Sequence, residues 1–156
     1  MKKEQYIRIA EIIAETSHCS RKKVGAVIVK EGRIISTGYN GIPKPRKQEC
    51  HTLRIQQAEA QGYIIKGSRK CNGCLDVIHA EQNAILAAAK EGISLEGSEL
   101  YVTLSPCIEC AKAIVMSGIQ KVYFSRRYKG DPGEIYLKSL GIPVEYINMW
   151  EVNHNG

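Results

Sequence analysis

The amino-acid sequence predicts a single α/β domain, and three features of the chain support this fold class. Its 156 residues fit one domain that buries a core of its own. Apolar segments typical of strands alternate with segments of helical period over the second half of the sequence. No internal repeat or low-complexity linker divides the chain. Because strands that alternate with helices form layered sheets, we expect helices packed against a central sheet.

The first part of the chain predicts a helix followed by a β-hairpin. Apolar residues recur at helical spacing within residues 4–17, which indicates an amphipathic helix. Two strand-like runs follow at residues 24–30 and 33–39, and the dipeptide Glu31-Gly32 between them is typical of a hairpin turn. The hairpin therefore supplies the first two strands of the sheet.

The second half of the chain predicts three further strands, each preceded by a helix. The helices are expected at residues 79–91, 107–117 and 133–140, and the strands at residues 99–104, 121–125 and 143–147. Since a helix separates the last two strands, their connection is a crossover and we expect them to run parallel.

Residues 41–78 interrupt this regular pattern. The segment contains Pro43, Pro45, scattered charges and a short helical pattern near residues 52–61. A connection of this length without a core of its own is either disordered or held together by a metal ion. We therefore interpret residues 1–156 as one domain with a long insertion.

Charge and hydropathy restrict the expected partners. The 22 basic and 16 acidic residues give a net charge of +6, but both signs are mixed along most of the chain. This mixture is typical of a solvated surface, so we expect no nucleic-acid partner. No apolar run approaches the roughly 20 residues that cross a bilayer, and the N-terminus does not resemble a signal peptide. We expect a cytoplasmic protein that does not bind a membrane.

Two of the motifs predict a metal site at the starts of two helices. His79 and Glu81 begin one helix in HAEQNAILAA, and Cys107 and Cys110 begin the next in TLSPCIECAKAI. Free N–H groups and the helix dipole favour thiolates at such a start. One histidine and two cysteines leave a fourth tetrahedral position to water, which suits a catalytic zinc. A redox C-x-x-C pair is the alternative, but it leaves His79 and Glu81 unexplained.

Glu81 is the candidate catalytic residue. It need not bind the metal, and it lies within reach of a water at the open position, where a carboxylate acts as general base and then general acid. The combination of H-x-E with P-C-x-x-C is the signature of zinc-dependent nucleobase deaminases.

Four segments of the chain carry a closer resemblance. They are VGAVIV, GRIISTGYNGIP, the run from HAEQ to VYFS, and the weaker YLKSLGIPV, which together cover most of residues 19–145. In these segments the sequence resembles the deoxycytidylate (dCMP) deaminase family. The resemblance implies a cytidine-deaminase-like three-layer α/β/α fold with a five-stranded mixed sheet. It also implies zinc-dependent hydrolysis of dCMP to dUMP and ammonia, which supplies dUMP for thymidylate synthesis.

The resemblance assigns substrate contacts by position. Asn40 would hold the deoxyribose hydroxyl, the backbone N–H of Ala80 the pyrimidine carbonyl, and the carbonyl of Ser105 the exocyclic amine, while Tyr128 would pack beside the base or sugar. From the residues alone, Asn40 before a glycine is also typical of a tight turn, and Tyr128 of a surface aromatic.

Basic residues are the candidates for binding phosphate groups. By resemblance, Arg127 or Lys129 would lie near the substrate phosphate, although solvated surface charges are the alternative. Many relatives are homohexamers that dCTP activates and dTTP inhibits, each with Mg²⁺. The candidate effector-binding residues are Arg21, Lys22, Lys44 and Arg46.

The other cysteines number four, which is what a closed structural zinc site needs. They are Cys19, Cys50, Cys71 and Cys74. A second zinc bound by them would order the insertion, and His18 or His51 is an alternative ligand. Four reduced buried thiols are the competing interpretation.

Two other functions compete with dCMP deamination. A tRNA adenosine deaminase shares the zinc motif and fold, but it would favour a wider basic face, and the GYNG motif with the insertion argues against it. A non-enzymatic, competence-related protein that binds nucleic acid is the alternative from another class.

Overall fold

The structure is a computed structural model that describes residues 1–19, 22–43 and 77–154. Within these ranges the chain forms five helices and five strands. In chain order they are α1 (Lys3–Glu15), β1 (Gly25–Lys30), β2 (Arg33–Tyr39), α2 (Ala80–Lys90), β3 (Glu99–Val102), α3 (Ile108–Met116), β4 (Lys121–Phe124), α4 (Pro132–Ser139), β5 (Val144–Tyr146) and α5 (Met149–His154). None of the described helices is long and apolar enough to cross a membrane.

The five strands form one mixed sheet in the order β2-β1-β3-β4-β5. Strand β1 pairs antiparallel with both β2 and β3, whereas β3 pairs parallel with β4 and β4 parallel with β5. The parallel arrangement of the last two strands is confirmed, because α4 provides the crossover between them.

Helices cover both faces of this sheet, as the α/β/α prediction requires. Ala26 and Ile28 of β1 point into a core formed with α2, α3 and α4. Val27 and Val29, which alternate with them, point into a second core beneath α1. Strands β3 and β4 show the same alternation, because successive side chains of a strand point to opposite faces. The central strands are therefore buried on both sides.

Several chain segments meet at one edge of the sheet. Parallel strands β3 and β4 both end there, and the antiparallel β1 begins there, since the N–H of Thr103 donates to the carbonyl of Gly25 at 3.0 Å. Strand β2 ends beside the start of β1, with Tyr39 opposite Gly25. The loops that leave these strand ends, with the start of α2, carry most of the predicted site residues that the structure describes.

Close contact between α2 and β2 brings the start of this helix to the same edge. A Cβ at Gly38 would collide with the backbone of Ala80 and Ala84, so glycine is required for α2 to lie directly on β2. The Oγ of Ser36 donates to the carbonyl of Ala84 at 2.6 Å, and the side-chain amide of Asn83 donates to the carbonyl of Tyr39 at 2.6 Å. The first turn of α2 is therefore held in place by β2.

The two ends of the predicted insertion pair with each other. Gly41 and Ile78 form an isolated antiparallel bridge, with N–H···O distances of 3.1 and 2.9 Å. The expected short helix near residues 52–61 lies outside the described residues. The predicted element ends agree with the structure to within a few residues, and α5 is an element that the sequence patterns did not reveal. A helix of six residues is too short for its period to be recognised.

Candidate active site

The two metal-binding motifs begin helices α2 and α3, as predicted. His79 is the N-cap of α2 and Cys107 is the N-cap of α3, and both have extended backbone conformations. The N–H of His79 donates to the side-chain oxygen of Gln82 at 3.2 Å, which fixes the start of α2. The N–H of Cys110 donates to the Cys107 sulfur at 3.5 Å. Hydrogen bonds within the first turn therefore fix each helix start from which the metal-binding side chains project.

The three predicted ligands converge on one point. The His79 Nδ1 lies 3.3 Å from the Cys110 Sγ and 3.5 Å from the Cys107 Sγ. All three donor atoms lie within 4.8 Å of one another. Burial increases through the set, from the exposed His79 through the half-buried Cys107 to the fully buried Cys110. A single ion can therefore contact all three side chains.

The donor set fits zinc. An imidazole nitrogen and a thiolate sulfur that share a tetrahedral zinc lie about 3.6 Å apart, given bond lengths of roughly 2.1 and 2.3 Å. The observed nitrogen-to-sulfur distances of 3.3 and 3.5 Å are close to this value. Within the described ranges the cluster contains no fourth histidine, cysteine or carboxylate. Three protein ligands and one open position are typical of catalytic zinc.

Electrostatics at the cluster favour a bound cation. Hydrogen bonds from the Cys110 thiol and from His79 lower the pKa of the Cys107 thiol to about 3. The adjacent Cys107 thiolate and burial together raise the pKa of Cys110, and the hydrogen bond with Cys107 raises the pKa of His79. A divalent cation would replace the protons of this cluster, because zinc binds both cysteines as thiolates and the imidazole in its neutral form.

Glu81 lies in the first turn of α2, close to this cluster. Its side chain is only 4% exposed, and burial raises the pKa of its carboxyl above the ordinary value. It contacts its own backbone N–H and the Cys110 thiol. No lysine or arginine of the described chain forms an ion pair with Glu81. A carboxyl that is buried, close to a metal site and unpaired with a cation is suited to proton transfer.

A cavity of about 610 Å³ opens in front of the cluster. It is lined by the zinc ligands His79 and Cys107, by Glu81, and by most of the predicted substrate contacts. Those contacts are Asn40, Ala80, Ser105, Tyr128 and Lys129. The structure therefore brings together, around one space, residues that are separated by nearly 90 positions in the sequence.

Asn40 has a structural role that the sequence did not reveal. Its Oδ1 accepts the N–H of Val24 at 2.8 Å, and its Nδ2 donates to the carbonyl of Lys22 at 2.8 Å. These bonds tie the end of β2 to the residues that precede β1. An amide nitrogen has two N–H groups, so Asn40 retains one donor beyond the one it uses for Lys22.

The two basic residues predicted near the phosphate lie in different environments. Lys129 lines the cavity. The Arg127 guanidinium donates to Asp131 at 2.9 Å and to Glu134 at 2.8 Å, and it stacks over the ring of Phe124 at 5.2 Å. Arg127 is therefore engaged within the protein and is not part of the cavity lining.

Lys22 was predicted as an effector-binding residue, but the structure places it in the active-site cavity. Its Nζ lies 5.6 Å from the centre of the Tyr128 ring. Cys19 also lines this cavity, as a free, half-buried thiol. The remaining residues proposed for effectors or for a second zinc, namely Arg21, Lys44, Arg46, Cys50, Cys71 and Cys74, lie outside the described residues, as does the alternative ligand His51.

Taken together, the fold and the site define a zinc-dependent deaminase of the class that acts on nucleobases, since H-x-E and P-C-x-x-C meet beside an open coordination position. A family model described as the cytidine and deoxycytidylate deaminase zinc-binding region matches residues 1–126. The chain belongs to this family.

Individual relatives match the chain over nearly its full length. The deoxycytidylate deaminase of Enterobacteria phage T4 is 40% identical in a gapped alignment of 180 positions that covers 98% of this chain and 93% of the relative. ComE operon protein 2 of Bacillus subtilis is 33% identical in a gapped alignment of 159 positions that covers 96% of this chain and 72% of the relative. The crystal structure of dCMP deaminase from cyanophage S-TIM5 in complex with dCMP and dUMP is 38% identical, with a TM-score of 0.77 over 94% of this chain and 99% of that chain.

Proposed function

We propose that this protein catalyses the hydrolytic deamination of dCMP to dUMP and ammonia. The observation that carries the proposal is the His79, Cys107 and Cys110 cluster with the buried Glu81 beside it, at the wall of one cavity. Similarity to phage deoxycytidylate deaminases over nearly the whole chain supports dCMP as the substrate. A cavity of about 610 Å³ is within the usual size range for a small-molecule site.

Glu81 is the proton carrier of the proposed reaction. When bound, zinc supplies Lewis-acid chemistry that lowers the pKa of a coordinated water to about 7 and so provides a nucleophile at neutral pH. Glu81 accepts a proton from the attacking water and delivers it to N3 of the cytosine ring. Glu81 then takes the second proton of the same water, which is now a hydroxyl on C4, and delivers it to the exocyclic nitrogen, so that this nitrogen leaves C4 as ammonia. The oxygen of one water replaces one amino group, so the reaction balances without a further reactant.

Backbone groups at the site edge orient the base. The N–H of Ala80 lies in the first turn of α2, where helix donors lack a partner within the helix, and we assign it to the pyrimidine carbonyl. The carbonyl of Ser105 is assigned to the exocyclic amine, which turns C4 towards the metal. The remaining N–H of Asn40 is assigned to the sugar hydroxyl, and the Tyr128 ring to the base or sugar beside it.

Two lysines are the proposed contacts of the substrate phosphate. Lys129 and Lys22 both line the cavity, and the Nζ of Lys22 lies over the Tyr128 ring. Arg127, the other sequence candidate, already pairs with Asp131 and Glu134. If Arg127 moved to contact the substrate phosphate, the buried Glu134 would lose one of its cationic partners, which costs free energy. We therefore assign the phosphate to the lysines.

Regulation, assembly and a second zinc remain proposals that rest on the family resemblance. They comprise activation by dCTP, inhibition by dTTP, both with Mg²⁺, a homohexamer, and a structural zinc at the remaining cysteines. A dCMP saturation curve measured with and without dCTP and Mg²⁺ tests activation by dCTP, and an unchanged curve would exclude that activation. Metal analysis tests the last, because a second structural site requires two zinc ions per chain, one of which is lost when Cys71 and Cys74 are replaced.

Ammonia release from a panel of substrates tests the proposed function. Zinc-loaded protein is incubated with dCMP, CMP, deoxycytidine and a tRNA anticodon stem-loop that carries adenosine. We expect release from dCMP well above the other three. Preference for the RNA would identify a tRNA adenosine deaminase, and no release from any of the four would favour a non-enzymatic, nucleic-acid-binding function.

A further inference from the structure

The loop between β4 and α4 carries two cavity residues and needs an anchor. Tyr128 and Lys129 lie on this loop, beyond the end of β4. The N–H of Tyr128 donates to the Oγ of Ser105 at 2.6 Å. The same Ser105 hydroxyl donates its proton to the Oδ1 of Asp131 at 2.9 Å. One buried hydroxyl thus joins the Tyr128 backbone to a carboxylate further along the loop.

Asp131 does not act as an ordinary helix N-cap. It precedes Pro132 at the start of α4, a position where aspartate normally accepts N–H groups of the first turn. Its side chain makes no such bond. One carboxylate oxygen instead accepts the Ser105 hydroxyl, and the other accepts the Arg127 guanidinium at 2.9 Å. The carboxylate therefore binds side chains of two loops and does not cap the first turn of α4.

The backbone of Asp131 is in a conformation that most residues avoid. Its φ and ψ are 42° and 45°, in the left-handed region that favours glycine and that aspartate and asparagine tolerate better than other residues. Such conformations persist where surrounding contacts enforce them, and they concentrate at functional sites. Here the left-handed turn directs the carboxylate back towards Ser105.

The next residues press the same loop against a zinc ligand. A Cβ at Gly133 would collide with the carbonyl of Pro106 and lie only 2.8 Å from the carbonyl of Cys107. The start of α4 therefore packs directly on the backbone that presents Cys107. Asp131 and Gly133 together join the Tyr128 segment to the metal-binding segment, at residues that no catalytic motif includes.

We propose that Asp131 is a positioning residue of the active site: through Ser105 and Arg127 it holds the Tyr128–Lys129 segment at a set distance from the zinc-binding segment. This inference rests on the proposed function, because Tyr128 and Lys129 are assigned there to the substrate. Without the Asp131 carboxylate, Tyr128 and Lys129 are held less firmly. Their contacts are made to the substrate and to the transition state alike, so both are bound more weakly. The expected consequence is a raised KM for dCMP with little change in kcat.

Three variants separate positioning from folding. Asp131→Gly removes the carboxylate but suits the left-handed backbone, so it does not add backbone strain. Asp131→Asn retains an oxygen that accepts the Ser105 hydroxyl and tolerates the same backbone. Glu31→Gly is the matched control, because Glu31 is the other described non-glycine residue with positive φ, at 51°, and it is exposed in the hairpin turn.

We expect Asp131→Gly to raise KM roughly tenfold, the factor associated with one ordinary hydrogen bond, with full zinc content. Asp131→Asn should restore part of this loss, because it keeps the Ser105 bond but not the Arg127 bond, and Glu31→Gly should leave KM unchanged. Amide hydrogen exchange at Tyr128 provides a readout that does not depend on turnover, and we expect faster exchange in Asp131→Gly alone.

Two results would overturn the inference: wild-type KM in Asp131→Gly, or unchanged exchange at the Tyr128 amide in that variant. A lower melting temperature with both values unchanged would assign Asp131 a purely structural role. If the wild-type protein releases no ammonia from dCMP, the proposed function fails on its own, and the Tyr128 exchange measurement still decides whether Asp131 positions the loop.

Discussion

Two buried glutamates each lie in the first turn of a helix, yet their surroundings are opposite. Glu81 lies in the first turn of α2 and Glu134 in the first turn of α4, and they are 4% and 8% exposed. Glu134 accepts hydrogen bonds from Arg127 at 2.8 Å and Lys138 at 2.6 Å. Glu81 has no such cation within the described ranges and faces a cavity beside three metal-binding side chains.

The contrast distinguishes a carboxylate held in ion pairs from one that lies beside the metal-binding side chains. Burying a carboxylate costs free energy unless a cation or hydrogen bonds compensate it. At Glu134 the compensating cations are Arg127 and Lys138. Because Arg127 lies on the loop that precedes α4, its ion pair ties α4 to that loop. No lysine or arginine of the described residues pairs with Glu81, and burial raises the pKa of its carboxyl. A carboxyl in these surroundings is suited to exchange a proton with a substrate.

Replacing each glutamate by glutamine is the most direct test of this contrast, and Glu81→Gln has the largest expected effect. We expect kcat for dCMP to fall by about 10²- to 10⁴-fold, the range of general acid–base catalysis, while zinc content is retained. The free energy of unfolding of the metal-free protein should be unchanged or higher, because a neutral amide is less costly to bury. Steady-state kinetics, metal analysis and urea unfolding measure these. Near-normal turnover would remove Glu81 from the mechanism.

Glu134→Gln is expected to have the opposite pattern. Its loss leaves Arg127 and Lys138 without their shared carboxylate, so we expect a decrease of about 1 kcal/mol in the free energy of unfolding. The value is modest because both cationic side chains are about half exposed to water. Turnover should remain close to that of the wild type. A large loss of kcat in Glu134→Gln, with zinc still bound, would contradict the distinction between the two carboxylates.

The neighbouring cations Arg127 and Lys129 extend the comparison to the substrate. Lys129→Ala should raise KM for dCMP roughly tenfold and leave KM for deoxycytidine unchanged, because only dCMP has the phosphate. Arg127→Ala should lower the melting temperature and change the ratio of the two KM values much less, because its guanidinium contacts Asp131 and Glu134 and acts on Lys129 only through the loop. Lys22→Ala should resemble Lys129→Ala. A ratio altered as strongly in Arg127→Ala as in Lys129→Ala would return Arg127 to the phosphate site.

A third carboxylate, Glu145, should show the smallest effect. Burial acts against its ionisation, but the hydrogen bonds and charges of Lys3 and Lys121 outweigh burial and hold the pKa of its carboxyl below the ordinary value of 4.5. The resulting stabilisation is complete above the ordinary pKa and is lost as pH falls through the lowered pKa. Because this ion pair is solvent-exposed, we expect wild type and Glu145→Gln to differ by about 0.5 kcal/mol or less at pH 7.

Thermal unfolding of wild type and Glu145→Gln measures this effect. The range from about pH 3 to about pH 7 spans the titration of carboxylates. The two curves should converge at the acidic end. A difference that instead grows as the pH falls would show that the ion pairs of Glu145 do not stabilise the folded state.

Predictions from sequence were most successful where a residue's chemistry and its secondary structure coincide. His79, Cys107 and Cys110 are each defined by residue type at a helix start, so their convergence followed from motif and strand order. The sequence did not predict the bonds of Asn40 to the backbone of Val24 and Lys22, or of Arg127 to Glu134, because these partners belong to no recognised motif. The signal for Asp131 was present as Asp-Pro-Gly before a helix, but it indicated a cap and not the contact with Ser105.

By itself, then, the sequence determined the class of fold, the zinc ligands and the carboxylate that we propose for proton transfer. Periodicity and motif spacing are local properties that can be read from the amino-acid sequence alone. Only the tertiary structure decided that Lys129 and Lys22 line the cavity while Arg127 does not, and that the carboxylate of Asp131 accepts the Ser105 hydroxyl. These outcomes depend on backbone direction in a non-periodic loop and on partners more than 20 residues away, for which local sequence has no regular pattern.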